Sequence, residues 1–499
     1  MNKSGVFGVV MFLVILFVSW FVYMIPVSDL PFGDVDSSTH FGLGDNVGQN
    51  LDFGLDVPYY LDFNYGFAND HKMWYHPLLP YMIGVSQIVS GSRIFVPFAM
   101  IALLCSLFIP FTYLLIKKVW GFWPALISVP MLLFSFRDFM TYSWGLWPER
   151  ISYALIPLAL VLFWSYSKKR SWVTLAYCGV VVGLQTAFHI QGAMLSLLSM
   201  GLYFVYLSVK EKKLAVKLSH LIFPVVIIVL FMVPSFSGLM NYNSAMGNSD
   251  GFKIQELGSL FSWYPPVPYS PIITDVFAMY HLTFAFIIVC VLLFVGIGFY
   301  RREWDKTVFM FIPLVALYLL MHLNVIGFGD RTHRFVSAEA IVLLPLVAIG
   351  IYLLLSWLTK QQHNERFTKI AAGMFFVILA VWCASGNLGS MTQTYPEQLR
   401  INEYQLEACD WVRMNLSEDA HVRIVGTPIY YERKWIQVLC QRHMIFDDVT
   451  YDGSESEFVN MTTHIMIDNT ISLYGPDGIK LRGNETPLFS NGVVEVYKR

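Results

Sequence analysis

Charge is scarce in this chain: 14% of its 499 residues are Asp, Glu, Lys or Arg, and the two signs nearly cancel to a net of -2. A mean hydropathy of +0.54 goes with that scarcity. Together they exclude an ordinary water-soluble protein along the whole length, and no basic tract offers a nucleic-acid surface. Cysteine is thin as well. Cys105, Cys178, Cys290 and Cys383 lie in apolar runs, Cys409 and Cys440 lie near the end, and no pair has zinc-finger spacing. There is no Walker loop, dinucleotide fingerprint, HExxH or GxSxG to carry the chemistry those motifs bring. The centres of the apolar runs are almost free of ionisable residues, and no internal repeat is visible. Both absences argue against an ion-coupled transporter, which places charges at mid-membrane, often in repeated halves.

What is abundant is apolar sequence in long runs. A hydrocarbon core about 30 Å thick needs roughly 20 apolar residues per helix. Runs of that kind alternate with short polar breaks over residues 1–389, and residues 390–499 read as a soluble domain. The first run, 6–25, is too long for a signal-peptide core and lacks a small-residue cleavage site, so it reads as an uncleaved anchor. Further spans centre on 95–116, 121–136, 151–165, 172–188, 193–207, 218–236, 276–299, 307–326, 337–357 and 370–384, making about eleven in all. Residues 76–89 are apolar but too short to cross. Read as a helix lying on the outer surface, they leave Lys117-Lys118, Lys168-Lys169-Arg170, Lys210, Arg301-Arg302 and Lys369 all cytoplasmic, as the positive-inside rule requires. The N-terminus is then cytoplasmic. Two large loops lie outside: an acidic first loop (26–93, including the surface helix) and a second at 237–275. The tail reads α/β, with a helix at 403–415 and strands at 421–425, 464–468 and 493–498. Cys409 and Cys440 share an oxidising compartment in this reading, and whether they pair is left open.

Polar residues able to do chemistry gather at the outer rim. In Asp36-Ser-Ser-Thr-His40 a spacing of four places carboxylate and imidazole on one helical face. That pair suits a general base or metal ligands, with Asp34 two residues earlier as a rival. Asp36 can equally be a helix cap, and on spacing alone the cap is the commoner role. Arg137, Arg150, Arg331 and Arg334 stand at outer span ends, against the positive-inside bias, so something local should hold them. Arginine presents a fork of donors suited to phosphate oxygens; an ion pair with Asp330, or snorkelling to lipid headgroups, explains the late pair equally well. Arg137-Asp138 and Glu149-Arg150 read as solvated neighbour pairs, with Asp138 as an alternative second metal-facing carboxylate. His189 reads as a helix-end residue. His220, His281 and His322 read as interhelical hydrogen-bonding groups. Trp144, Trp147, Trp263 and Tyr264 read as an interfacial aromatic belt.

Taken in order, these features resemble the GT-C superfamily of integral-membrane glycosyltransferases, of prokaryotic type. The resemblance rests on an inside-out first span, an acidic first loop with Asp-x-x-x-His, and a surface helix opening Tyr75-His-Pro-Leu-Leu-Pro-Tyr81. Trp144-Gly-Leu-Trp-Pro-Glu149 before a span, Asp330-Arg331…Arg334-Phe335 before a late span, and a tail ending Asn491-Gly-Val-Val-Glu-Val-Tyr-Lys498 complete it. It implies an all-α polytopic membrane domain with a small extracytoplasmic α/β domain. It also implies transfer of a sugar from a polyprenyl-phosphate-linked donor to a glycan, protein or lipid acceptor outside the cytoplasm. Asp36 (or Asp34) would be the catalytic base. Arg331 and Arg334 would contact the donor phosphate, and His40, Arg137 and Arg150 would help bind substrate. A divalent Mg or Mn ion would be held by Asp36 and Asp138. The chain lacks the Trp-Trp-Asp-Tyr-Gly motif of oligosaccharyltransferase catalytic subunits, which argues against sequon-directed glycan transfer. The alternative is a GT-C-like membrane scaffold or lipid-carrier-binding partner without catalysis.

Overall fold

The computed structural model describes residues 3–33, 36–54, 56–61, 76–245, 284–323, 330–360, 365–398, 401–425, 430–446, 462–468 and 486–498. The described chain is mostly helical. In order the helices are α1 (Lys3–Tyr23), α2 (Ser37–Asn50), α3 (Leu78–Ser90), α4 (Phe95–Ser106), α5 (Phe108–Val119) and α6 (Phe122–Leu133). Then come α7 (Phe136–Ser143), α8 (Trp147–Ala154), α9 (Ile156–Lys169), α10 (Trp172–Phe188), α11 (Ile190–Glu211) and α12 (Leu218–Ala245). The series closes with α13 (Phe284–Tyr300), α14 (Trp304–Met321), α15 (Glu339–Lys360), α16 (Glu365–Gln398), α17 (Glu403–Asn415) and α18 (Tyr430–Cys440).

Among the described residues seven stretches are long and apolar enough to cross a membrane: Val6–Tyr23, Phe95–Val119, Trp147–Lys169, Ile190–Glu211, Trp304–Met321, Arg334–Thr359 and Arg366–Gly386. The shorter apolar helices Phe122–Leu133, Trp172–Phe188, Ser219–Pro234 and Ala285–Tyr300 stand where the remaining spans were expected. The chain is a multi-pass membrane protein. α1 shows why its sequence is so uniformly apolar: Phe17, Val18 and Phe21 are exposed on its outward surface, where lipid replaces water.

The spans have chemically distinct ends. Glu149 and Arg150 sit in the first turn of the stretch Trp147–Lys169, about 30 Å from Lys168-Lys169 at 1.5 Å per residue. At the lysine end one carboxylate, Asp305, takes Lys168 at 3.4 Å, the Tyr206 hydroxyl at 3.1 Å, and Lys210. Arg170 pairs with Glu211 at 2.6 Å, and Arg301 donates to Ser356 at 3.1 Å. The basic clusters flanking different spans therefore meet at one end.

At the opposite end, α3 is 13 residues long, about 20 Å, and too short to cross. It lies against α2 and α4. Leu79 and Ile83 are buried, Leu78 and Met82 half-buried, and Val85, Ile88 and Val89 exposed. The α2–α3 approach requires glycine: a Cβ at Gly44 would lie 2.5 Å from Ile83, and one at Gly84 would lie 2.5 Å from Val47.

The tail carries a sheet of five strands among the described residues, ordered β2 (His443–Phe446), β1 (His421–Val425), β3 (His464–Asp468), β5 (Val494–Lys498), β4 (Phe489–Ser490). The first three are parallel, with Val422 opposite both Met444 and His464; β5 runs antiparallel to β3 and β4. A capping box starts α17: Asn402 accepts from the Gln405 amide at 2.9 Å, and Gln405 accepts from the Asn402 amide at 3.0 Å. α18 leads into β2 after Gln441 and Arg442. Cys409 and Cys440 are joined as a disulfide, which ties α17 to the end of α18.

One side-chain reading is corrected. Trp147 is not part of an interfacial belt: it is fully buried, its indole N–H donating to the Tyr142 carbonyl at 3.0 Å and its ring set edge-on to Phe98. His322 Nδ1 lies 2.8 Å from the Tyr318 carbonyl one turn back, and His220 lies 3.3 Å from Tyr166 on another helix. Trp263, Tyr264 and His281 lie outside the described residues.

Candidate active site at the start of the first-loop helix

α2 begins at Asp36. The residue occupies the N-cap position, yet its side chain makes no capping hydrogen bond. Its backbone carbonyl accepts from the His40 amide at 3.0 Å, so the helix starts correctly while the carboxylate stays uncommitted to the first-turn amides. Asp36 is half-buried, and the next four residues, Ser37 to His40, are buried. His40 is held between two charges. Burial is the largest influence and pushes its pKa down to about 4; Asp36 raises it and Arg334 lowers it. The imidazole is therefore neutral at physiological pH. Arg334, nearly 300 residues away in sequence, acts on the same ring as Asp36.

A third segment joins them from the turn between α7 and α8. Gly145 has φ +88°, and a Cβ there would lie 2.1 Å from the Ser37 side chain. Only a glycine lets this turn pass so close to the start of α2. The turn delivers Glu149, buried in the first turn of α8, to the same place. Its carboxylate interacts electrostatically with Arg334, Asp36 and Arg150, and it accepts from the Ser337 hydroxyl. The other oxygen, Oε2, is buried and has no hydrogen-bond partner among the described residues. The Ser337 oxygen also lies 2.6 Å from the Arg334 carbonyl, and the Tyr153 hydroxyl lies within hydrogen-bond reach of that carbonyl at 3.3 Å and of Gln191 Oε1 at 3.0 Å. The short 3-10 segment Asp330–Ala338 is thereby held against α8, and the charge of Arg334 acts on His40 and Glu149.

The remaining candidates are placed differently. Asp34 lies outside the described residues, as does the side chain of Arg331. Arg137 and Arg150 do not pair with their sequence neighbours in solvent. Arg137 is buried against Glu339 at 2.6 Å, and Arg150 is buried against Asp138 with its guanidinium 4.2 Å over the Phe108 ring. The reason is the helix–turn–helix 136–154, which aims neighbouring residues in different directions and brings α7 against α8. Asp138 is thus engaged by Arg150. Among the described residues no group of three or more His, Cys, Asp or Glu is arranged to hold a metal ion. The carboxylate that shares the Asp36 site is Glu149, which reads in sequence as half of an ion pair. Its visible signal was an acid in the first turn of a span, next to an unusual Gly-x-Trp-Pro turn.

The result is a compact set in which two carboxylates, a neutral imidazole, a hydroxyl and an arginine come from three remote segments at one end of the helical bundle. A carboxylate can accept a proton there, and a guanidinium can stabilise an anion beside it.

The helical bundle with its short helix α3 and small tail sheet has the GT-C fold. The particular solved structures it resembles include ArnT from Cupriavidus metallidurans. In the crystal structure bound to undecaprenyl phosphate the TM-score is 0.57 at 13% identity, covering 100% of this chain and 98% of that one. The apo state of the same protein gives 0.58 at 12% identity, over 99% and 98%. The oligosaccharyltransferase of Archaeoglobus fulgidus in its apo form gives 0.55 at 13% identity, over 92% of this chain and 70% of that one. No protein-family model and no curated protein sequence matches the chain.

Proposed function

We propose that this protein transfers a sugar from a polyprenyl-phosphate-linked donor to a hydroxyl acceptor on the outer side of the membrane. The observation that carries the reading is the meeting of Asp36, His40, Glu149 and Arg334 at the end of the bundle opposite the basic clusters. The GT-C fold supports it, and one neighbour with that fold was crystallised with undecaprenyl phosphate. In the proposed orientation the basic ends are cytoplasmic, so the site and tail are extracytoplasmic.

The chemistry follows from the residues. No nucleotide sugar is at hand outside the cell, so the lipid phosphate serves as the activated leaving group. The Asp36 carboxylate takes the proton of the acceptor hydroxyl as its oxygen attacks the anomeric carbon. The bond from that carbon to the phosphate oxygen breaks, and Arg334, with Arg331 close in sequence, stabilises the charge left on the phosphate. Glu149 and Ser337 hold the arginine segment in place. His40, neutral and buried, keeps positive charge off that face of the site.

Mass spectrometry of lipids that co-purify with the protein tests this reading. A polyprenyl-phosphate-linked sugar is expected with the wild type, and severalfold less of it with Arg334→Lys, which keeps the charge but loses the fork. Absence of any polyprenyl phosphate, or equal amounts in the two proteins, would count against it and favour a scaffold without catalysis.

A further inference from the structure

The tail is built into the start of α2. Trp435, in α18, is fully buried, and its indole N–H donates to the carbonyl of Gly33 at 2.9 Å, three residues before Asp36. Its ring lies 5.6 Å from Phe41 on α2 and 6.4 Å from Phe98 on α4. Gly33 has φ +110°, a backbone state that side-chain-bearing residues rarely adopt, and a Cβ there would lie 2.8 Å from Ser37. Gly33 is thereby held beside the start of α2, with the Trp435 indole on its carbonyl and Ser37 against its α-carbon. One turn further along α18, Val438 closes on Gly42, where a Cβ would come within 2.9 Å of it.

A second set of contacts keeps α18 from moving relative to α2. Arg93 reaches Asp45 of α2 at 2.7 and 3.0 Å, the Leu439 carbonyl of α18 at 2.9 Å, and Asp410 of α17. Gln441 donates to Asp45 at 2.8 Å, and Arg413 donates to Gln49 at 3.3 Å. The Cys409–Cys440 disulfide joins α17 to α18 at the same level. These buried contacts converge on α2, the helix whose N-cap carboxylate, Asp36, makes no capping hydrogen bond.

We infer that Trp435 is a positioning residue for Asp36: the tail sets the place of the first-loop carboxylate through the indole–Gly33 hydrogen bond and the ring contact with Phe41. The inference rests on the proposed role of Asp36. Its reach is that a displacement of α18 is transmitted to the site.

Trp435→Phe removes the N–H donor and keeps most of the ring; Val422→Ala, in buried strand β1 of the tail, serves as a control for general loss of stability. Full-length proteins in lipid nanodiscs would be compared by thermal melting, hydrogen exchange, undecaprenyl phosphate binding and transfer from a panel of undecaprenyl-phosphate hexoses. For Trp435→Phe we expect faster exchange at the His40 amide, unchanged undecaprenyl phosphate affinity, and kcat lower by about tenfold to a hundredfold at similar KM, as small misplacements of a reacting group produce. Val422→Ala should lose stability without those effects. Unchanged exchange at His40, or equal losses of lipid affinity and turnover in both variants, would overturn the inference. Asp36→Asn separates the two claims: full turnover there defeats the proposed reaction, while the exchange result, which needs no substrate, decides the role of Trp435. Should Trp435→Phe fail to fold, Phe41→Leu trims the ring contact from the α2 side and is read in the same way.

Discussion

An aspartate at a helix N-cap ordinarily gives its carboxylate to the first-turn amides; Asp36 does not, and its charge acts instead on His40 and Glu149. The neighbouring imidazole makes a prediction possible at the same scale. His40 has a folded pKa of about 4 against an ordinary 6.5, so between those values the unfolded chain binds a proton that the folded chain refuses. Stability is therefore fully present above pH 6.5 and is lost as pH falls toward 4. The melting temperature of the wild type should rise by several degrees across that interval, and His40→Asn should flatten part of the rise. An identical slope in both proteins would show that burial of the imidazole is not what the pH dependence reports. Glu149 illustrates what single residues conceal. In sequence it touches only Arg150; the Gly-x-Trp-Pro pattern marks a turn, but the approach to Asp36 depends on the φ +88° at Gly145 and on the packing of that turn against α2.

The elements themselves were more legible. Apolar runs near 20 residues mark spans because an unsatisfied backbone in hydrocarbon is so costly. The tail helix 403–415 and strands 421–425 and 464–468 stand where apolar periodicity placed them. α3 was readable as a surface helix from its length together with the charges around it. What stayed hidden were pairings between elements: Arg150 with Asp138, Arg137 with Glu339, Trp435 with Gly33. Each joins positions whose proximity is decided by packing angles rather than by spacing along the chain. The ends of the elements also give a test of orientation. On a cysteine-free background, an impermeant maleimide added to intact cells should label a cysteine at position 52, after α2, and leave one at position 169, at the end of α9, unlabelled. The reverse pattern would invert the proposed topology.

At the scale of the whole molecule, a first loop, a mid-chain turn and a late 3-10 segment close on one another at one end of the bundle, with the tail braced against the first of them. The GT-C fold explains why such distant segments meet, and the proposed transfer would use the groups brought together: Asp36 as base, Arg334 on the phosphate and the neutral His40 beside them. The central claim is that Asp36 is the base. The measurement that addresses it most directly is the turnover of Asp36→Asn with the donor lipid identified from the purified protein. Asparagine keeps the shape and removes only the proton acceptor, so the rate should fall by about a hundredfold or more with the fold and lipid binding intact. Wild-type turnover in Asp36→Asn would contradict the account.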